Sequence, residues 1–182
     1  MYKLRSNVQL SVEEENEVYA IISAERPGNG ALPDPRHNHM GYRSFMQPEK
    51  IEEAAFDVWD RHRIRLCVPD GSRDMQLEKS TLLESNIDKL NGLSFKKGCY
   101  MGQEITARMH FRGLAKKHLY AVESDGPLPH ADETIIVNEK LAGAMRSSNG
   151  HIGIALLKDD MTDNLESIGM RLITPQSPPE ET

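Results

Sequence analysis

Four short segments near the carboxy end, Lys117 to Glu123, Glu133 to Val137, Leu141 to Ser147 and His151 to Leu157, are separated by polar turns containing Asn, Gly and Asp. Regularly spaced short strands with such turns between them predict a small β-barrel or sandwich. The texture changes at about Ala115, which divides the chain into a region 1–114 and a β-barrel at 115–174. Residues 175–182 offer nothing apolar to bury and are expected to form a mobile tail.

The region before Ala115 mixes patterns and makes the whole an α+β chain. Val8 to Val12 and Glu17 to Ile22 read as strands about a turn at Glu13 to Asn16, and Gly41 to Phe45 as a strand returning from the Pro- and Gly-rich stretch Arg26 to Asp34. A helix is predicted from Pro48, with Ile51, Ala54, Ala55, Val58 and Trp59 on one face and Trp59 as a core anchor. The run Arg63 to Val68 alternates and ends at Pro69-Asp70-Gly71, which predicts a strand burying Ile64, Leu66 and Val68 and exposing Arg63, Arg65 and Cys67.

Bulk properties exclude several classes. The 182 residues are 38% hydrophobic, and no apolar run approaches the roughly 20 residues of a membrane-spanning helix. Met1 to Ser6 is not followed by the apolar core of a signal peptide, so a cytoplasmic location is expected. A net charge of −6 argues against strong nucleic-acid binding, although Arg108, Arg112, Lys116 and Lys117 could form a local patch for tRNA or an acidic partner. Two cysteines, Cys67 and Cys99, make neither a disulfide framework nor the usual four-ligand set of a cluster. No metal site is expected, because His37 and His39 lie in a Pro-rich loop without a third ligand at a recognisable spacing.

The chemistry concentrates in Leu93 to Arg108, where a strand-like opening bends at Gly98 into a helix expected from about Tyr100. Cys99 would then sit at the helix's amino end, where unpaired N–H groups and nearby Lys96 and Lys97 favour a thiolate. The competing reading is a small buried apolar residue between Phe95 and Tyr100.

Lys97-Gly98-Cys99-Tyr100-Met101-Gly102-Gln103-Glu104 resembles the K-G-C-Y-x-G-Q-E signature of the YgfZ family, and Arg108 and Arg112-Gly113 continue the pattern. Val68-Pro69-Asp70-Gly71, Leu82 to Asn86, Asp34-Pro35-Arg36 and Gly41-Tyr42-Arg43 are similar to the family as well; at Cys67 the family often has glycine. The mitochondrial iron–sulfur assembly factors of the same family look similar in this stretch. Members usually carry a further segment ahead of the position of Met1, so the first part of the family's pocket is expected to be missing.

The resemblance implies part of an aminomethyltransferase-like folate-binding fold followed by the β-barrel. Its cofactor would be tetrahydrofolate, its partners iron–sulfur enzymes or cluster-assembly proteins, and its role the assembly or repair of such enzymes, tRNA-modifying ones included. Cys99 would be the reactive residue. Glu84 would bind the pterin ring, or be a solvated helical glutamate. Arg108 and Arg112 would meet the folate tail, or ring the helix with solvated charge. Lys97, Gly98, Tyr100, Gln103 and Glu104 complete the candidate binding set, with Tyr100 equally readable as packing and Gln103 and Glu104 as stabilisers of a helix start. The alternative is a true folate-dependent aminomethyltransferase, which the cysteine disfavours. An inactive remnant and a dimer completed by exchange are further readings.

Overall fold

The structure is a computed structural model that describes residues 17–28, 30–48 and 52–174. The expected strand Val8 to Val12, the helix position Ile51 and the tail 175–182 lie outside the described residues.

Strands β4 (Lys117–Ser124), β5 (Thr134–Val137), β6 (Lys140–Asn149), β7 (Ile152–Lys158) and β8 (Met170–Leu172) form one antiparallel sheet in the order β5-β6-β7-β4-β8. The four predicted strands appear with no end moved by more than two residues, and β8 is added. A 3-10 segment, Asp159–Ile168, packs against both edge strands, β5 and β8, and gives the sheet a barrel-like closure. Val122, Val137, Met145, Leu157 and Leu165 fill the interior.

The central strand β7 is buried on both faces. Ala155 and Leu157 point into the barrel, while Ile152 and Ile154 point out against Leu119 and Ile64. Ile64 belongs to helix α1 (Phe56–Arg65), which lies across β4, β6 and β7. The two regions therefore share an apolar interface.

Helix α1 corrects two expectations. It begins at Phe56 rather than Pro48, leaving Ala54 and Ala55 exposed and irregular, and Val58 remains 43% exposed. It also continues through Arg63-Ile64-Arg65, where a strand was predicted. Alternation misled here because Arg63, assigned to the open side, is fully buried. Its guanidinium donates to Asp60 (2.8 Å), Asp74 (2.6 Å) and Ser147 Oγ (2.9 Å), so the interior accepts the charge. Trp59 is half-buried and packs against the small cluster of Met40, Val68 and Leu90.

After the helix, Cys67 adopts φ 53°, the left-handed region that glycine occupies without strain. Its thiol donates to the Leu119 carbonyl at 3.3 Å, and burial pushes it up to about 11, so it stays protonated and inert. In the following turn Asp70 is held down to about 2: burial opposes this, but hydrogen bonds from Ser72 and Arg73 outweigh it.

Strands β1 (Tyr19–Ile21), β2 (Leu32–Pro33) and β3 (Tyr42–Ser44) make a small antiparallel sheet in the order β1-β3-β2. The expected Glu17–Ile22 and Gly41–Phe45 strands are both present in shortened form. Asp34, buried between Arg36 (2.7 Å) and Arg43 (2.8 Å), ties the loop to β3. Despite burial, these donors hold its carboxyl well below the usual carboxylate range.

Candidate functional site

Helix α2 spans Gln103–Arg112, three residues later than the sequence suggested. Gly102 precedes it at φ 87°, and this left-handed turn sets the start, so Cys99 lies ahead of the first helical turn instead of at its N-terminus. No strand forms at Leu93 to Gly98; the segment is a bend.

The bend is nevertheless pinned to α2. Phe95 stacks on His110 with ring centroids 3.7 Å apart, and His110 meets Phe111 edge-on at 5.1 Å. The Tyr100 N–H donates to Gln103 Oε1 at 3.1 Å, and Lys97 Nζ lies 4.6 Å from the centre of the Tyr100 ring. Cys99 sits exposed between these anchors. The reading of Cys99 as a buried packing residue is thereby set aside.

The other motif residues divide. Gln103 takes the helix-start role through its bond to Tyr100. Glu104 and Arg108 pair with each other at 2.8 Å, one turn apart and exposed, which is the solvated arrangement weighed above. Arg112 projects exposed from the last turn, and Gly113 closes the helix in the left-handed conformation. Gly98 is exposed with open space around its Cα.

Glu84 stands apart from this group. Its side chain is only 14% exposed, and its residue lies in a series of turns rather than on a helix, so the solvated helical reading does not hold. Thr81 donates to its carboxylate at 2.9 Å, Lys117 Nζ approaches at 3.5 Å, and its backbone carbonyl accepts the Leu119 N–H at 2.9 Å. It lines a cavity of about 150 Å³ between the two regions with Lys79, Ser80, Lys117 and Arg146, and none of the residues Lys97 to Arg112 reaches that cavity.

Sequence reasoning missed Arg146. In β6 the register slips between Met145 and Ser148, so that Arg146 and Ser147 together oppose the single residue Ile154. This bulge turns both side chains toward the first region, Ser147 to Arg63 and Arg146 to the Glu84 cavity. No turn residue or break in composition marks the bulge.

A larger cleft of about 590 Å³, bordered by His39, His62, Arg65 and Glu123, contains none of the candidate residues. His62 Nε2 lies 2.7 Å from the His39 carbonyl, and His37 titrates below its ordinary value because of burial and the neighbouring His39 and His62. Among the described residues no group of three or more His, Cys, Asp or Glu is placed to hold a metal ion.

A β-barrel bearing a bulged strand against an α+β region defines a class, and residues 116–179 match the family described as the CAF17 C-terminal β-barrel domain. The chain's homologues are iron–sulfur cluster assembly factors. It is 34% identical to the mitochondrial iron–sulfur cluster assembly factor IBA57 of Mus musculus over 88% of this chain and 52% of that protein. Against the Homo sapiens IBA57 the identity is 34% over 86% and 51% of the two chains, and against the Dictyostelium discoideum homolog 32% over 66% and 36%. The chain thus spans about half the length of the mammalian relatives. Each of these relatives is named as mitochondrial, which corrects the cytoplasmic expectation.

Proposed function

We propose that this chain is a YgfZ-type, tetrahydrofolate-binding protein that supports the assembly or repair of iron–sulfur enzymes, tRNA-modifying ones among them. Its partners would be those enzymes or the proteins that build their clusters. The observation that carries the reading is the placement of Cys99: an exposed thiol on a bend clamped to α2 by Phe95-His110 stacking and by the Tyr100–Gln103 bond. Iron–sulfur cluster assembly factors among the relatives support it.

An exposed thiol reacts as thiolate, so Cys99 would engage an iron or sulfur atom of a partner's cluster as nucleophile or transient ligand. Phe95 and His110 would hold the bend so that the sulfur is presented rather than packed. We expect Cys99→Ser to lower the activity recovered by an iron–sulfur enzyme about tenfold or more in cells depleted of the endogenous factor. Its melting temperature should stay unchanged, since an exposed position carries little stability. Full recovery with the serine variant would reject the thiol's role.

The fit to folate rests on Glu84. A mostly buried carboxylate beside a cavity suits paired N–H donors of a pterin ring. The 150 Å³ available is below the several hundred that enclose a ligand of that size, so these residues would hold one end of the molecule only. When bound, the folate would supply one-carbon or redox chemistry, while Glu84, steadied by Thr81 and Lys117, would orient the ring. Titrating tetrahydrofolate against Trp59 fluorescence should show saturable binding, weakened about 10- to 100-fold in Glu84→Gln by loss of a charged hydrogen bond. Equal affinity in both proteins would remove Glu84 from the site.

A further inference from the structure

We infer that the cavity between the two regions is an oxyanion site, built by Arg146 and Lys79 and suited to a phosphate or carboxylate group. The argument starts from an unsatisfied donor. The Arg146 side chain is 7% exposed, and its Nε–H has no acceptor among the described residues. A buried guanidinium N–H left unpaired forfeits its hydration without replacement, so an acceptor at this position is favoured.

The orientation is built in. Asp132 takes the Nη1 end of Arg146 and also accepts a 2.7 Å bond from Gln76, a residue of the first region. Asp132 is itself held at φ 64°, its N–H donating to the Met145 carbonyl at 2.9 Å. One end of the guanidinium is thus fastened on the solvent side, and the bulge carries the rest of the side chain to the cavity wall.

The charges around the cavity leave a cation over. Asp74 is neutralised by Arg63, Glu84 faces Lys117, and Arg146 faces Asp132. Lys79 lines the same cavity, and no ion pair to it occurs among the described residues. Ser80 accepts the Gln76 N–H at 2.7 Å, which leaves its hydroxyl proton available to an acceptor. A volume of about 150 Å³ exceeds the roughly 30 Å³ of one water several-fold and admits a tetrahedral anion.

The inference does not depend on the folate reading, and Glu84 separates the two. A carboxylate across the cavity repels an anion, so Glu84→Gln should tighten phosphate binding about two- to threefold while weakening folate. The test is calorimetric titration of the full chain with inorganic phosphate, and separately with acetate, at constant ionic strength set by chloride. Saturable phosphate binding, weakened about fivefold or more in Arg146→Met and in Lys79→Gln, is expected. Lys79 is exposed, so its replacement leaves folding intact even where Arg146→Met does not. Phosphate bound much more tightly than acetate assigns a phosphate group; comparable binding assigns the carboxylate of a larger ligand. Heats no greater than with chloride, or titrations identical in Lys79→Gln, would overturn the site.

Discussion

Arg63→Met should cost about 3–5 kcal/mol of folding stability, the largest effect of any single substitution considered for this chain. The guanidinium is completely buried, and it bonds Asp60, Asp74, Ser147 and the Val68 carbonyl at 2.6–3.3 Å. Asp74, also fully buried, accepts from Asp70 N–H (2.7 Å) and from the Ser147 N–H and hydroxyl (3.0 and 2.5 Å). Methionine fills the volume without neutralising either carboxylate, so the loss is that of stranded charge rather than of packing. Denaturant unfolding would measure it. Adding Asp74→Asn to the methionine variant should recover part of the loss, giving a coupling of about 1–3 kcal/mol. Additive losses would mean that the pair is not coupled.

The same cluster sets an acid limit. Asp60 titrates below its ordinary value: burial alone would raise it, but hydrogen bonds from Arg73 and Arg63 prevail. A carboxyl depressed in the folded state contributes stability that is complete above its unfolded value, near pH 4, and is lost as pH falls through the folded value. The wild-type chain should therefore lose stability below about pH 4 more steeply than Arg63→Met, which has already forfeited part of that interaction.

Gly143→Ala is expected to destabilise the barrel by about 2–4 kcal/mol, lowering its melting temperature by roughly 2–4 °C for each kcal/mol. A Cβ at residue 143 would lie 1.9 Å from the Leu156 carbonyl oxygen and 2.9 Å from Leu157 Cα. These are backbone atoms of the neighbouring strand, paired to β6 through Gly143 and Leu157, and they cannot turn aside as a flexible side chain would. Strands β6 and β7 would have to separate at the centre of the sheet, breaking ladder hydrogen bonds on both sides. Gly126→Ala is the control, because its Cβ would meet nothing within 4 Å. Scanning calorimetry showing the two variants equally stable would refute the close approach.

Short strands at regular spacing, with polar turns of Asn, Gly and Asp between them, were enough to place four barrel strands between Lys117 and Leu157. The K-G-C-Y-x-G-Q-E stretch likewise singled out Cys99 before any coordinates, although only the stacking of Phe95 on His110 shows how the thiol comes to be held at the surface. Alternation failed at Arg63 to Val68, because Ile64 and Val68, four apart, are buried as well by a helix and its following turn as by a strand. Nothing local distinguishes the two; the acceptors that make a buried Arg63 tolerable come in part from Asp74 and from Ser147, distant in sequence. The turn of Arg146 into the cavity was equally illegible, for a bulge is a mismatch between two strands and belongs to neither sequence alone. The spacing of short apolar segments and their polar turns is a property of the chain, so it determined the barrel; burial of charge and the register of paired strands depend on which partners meet, and only the tertiary structure decided them.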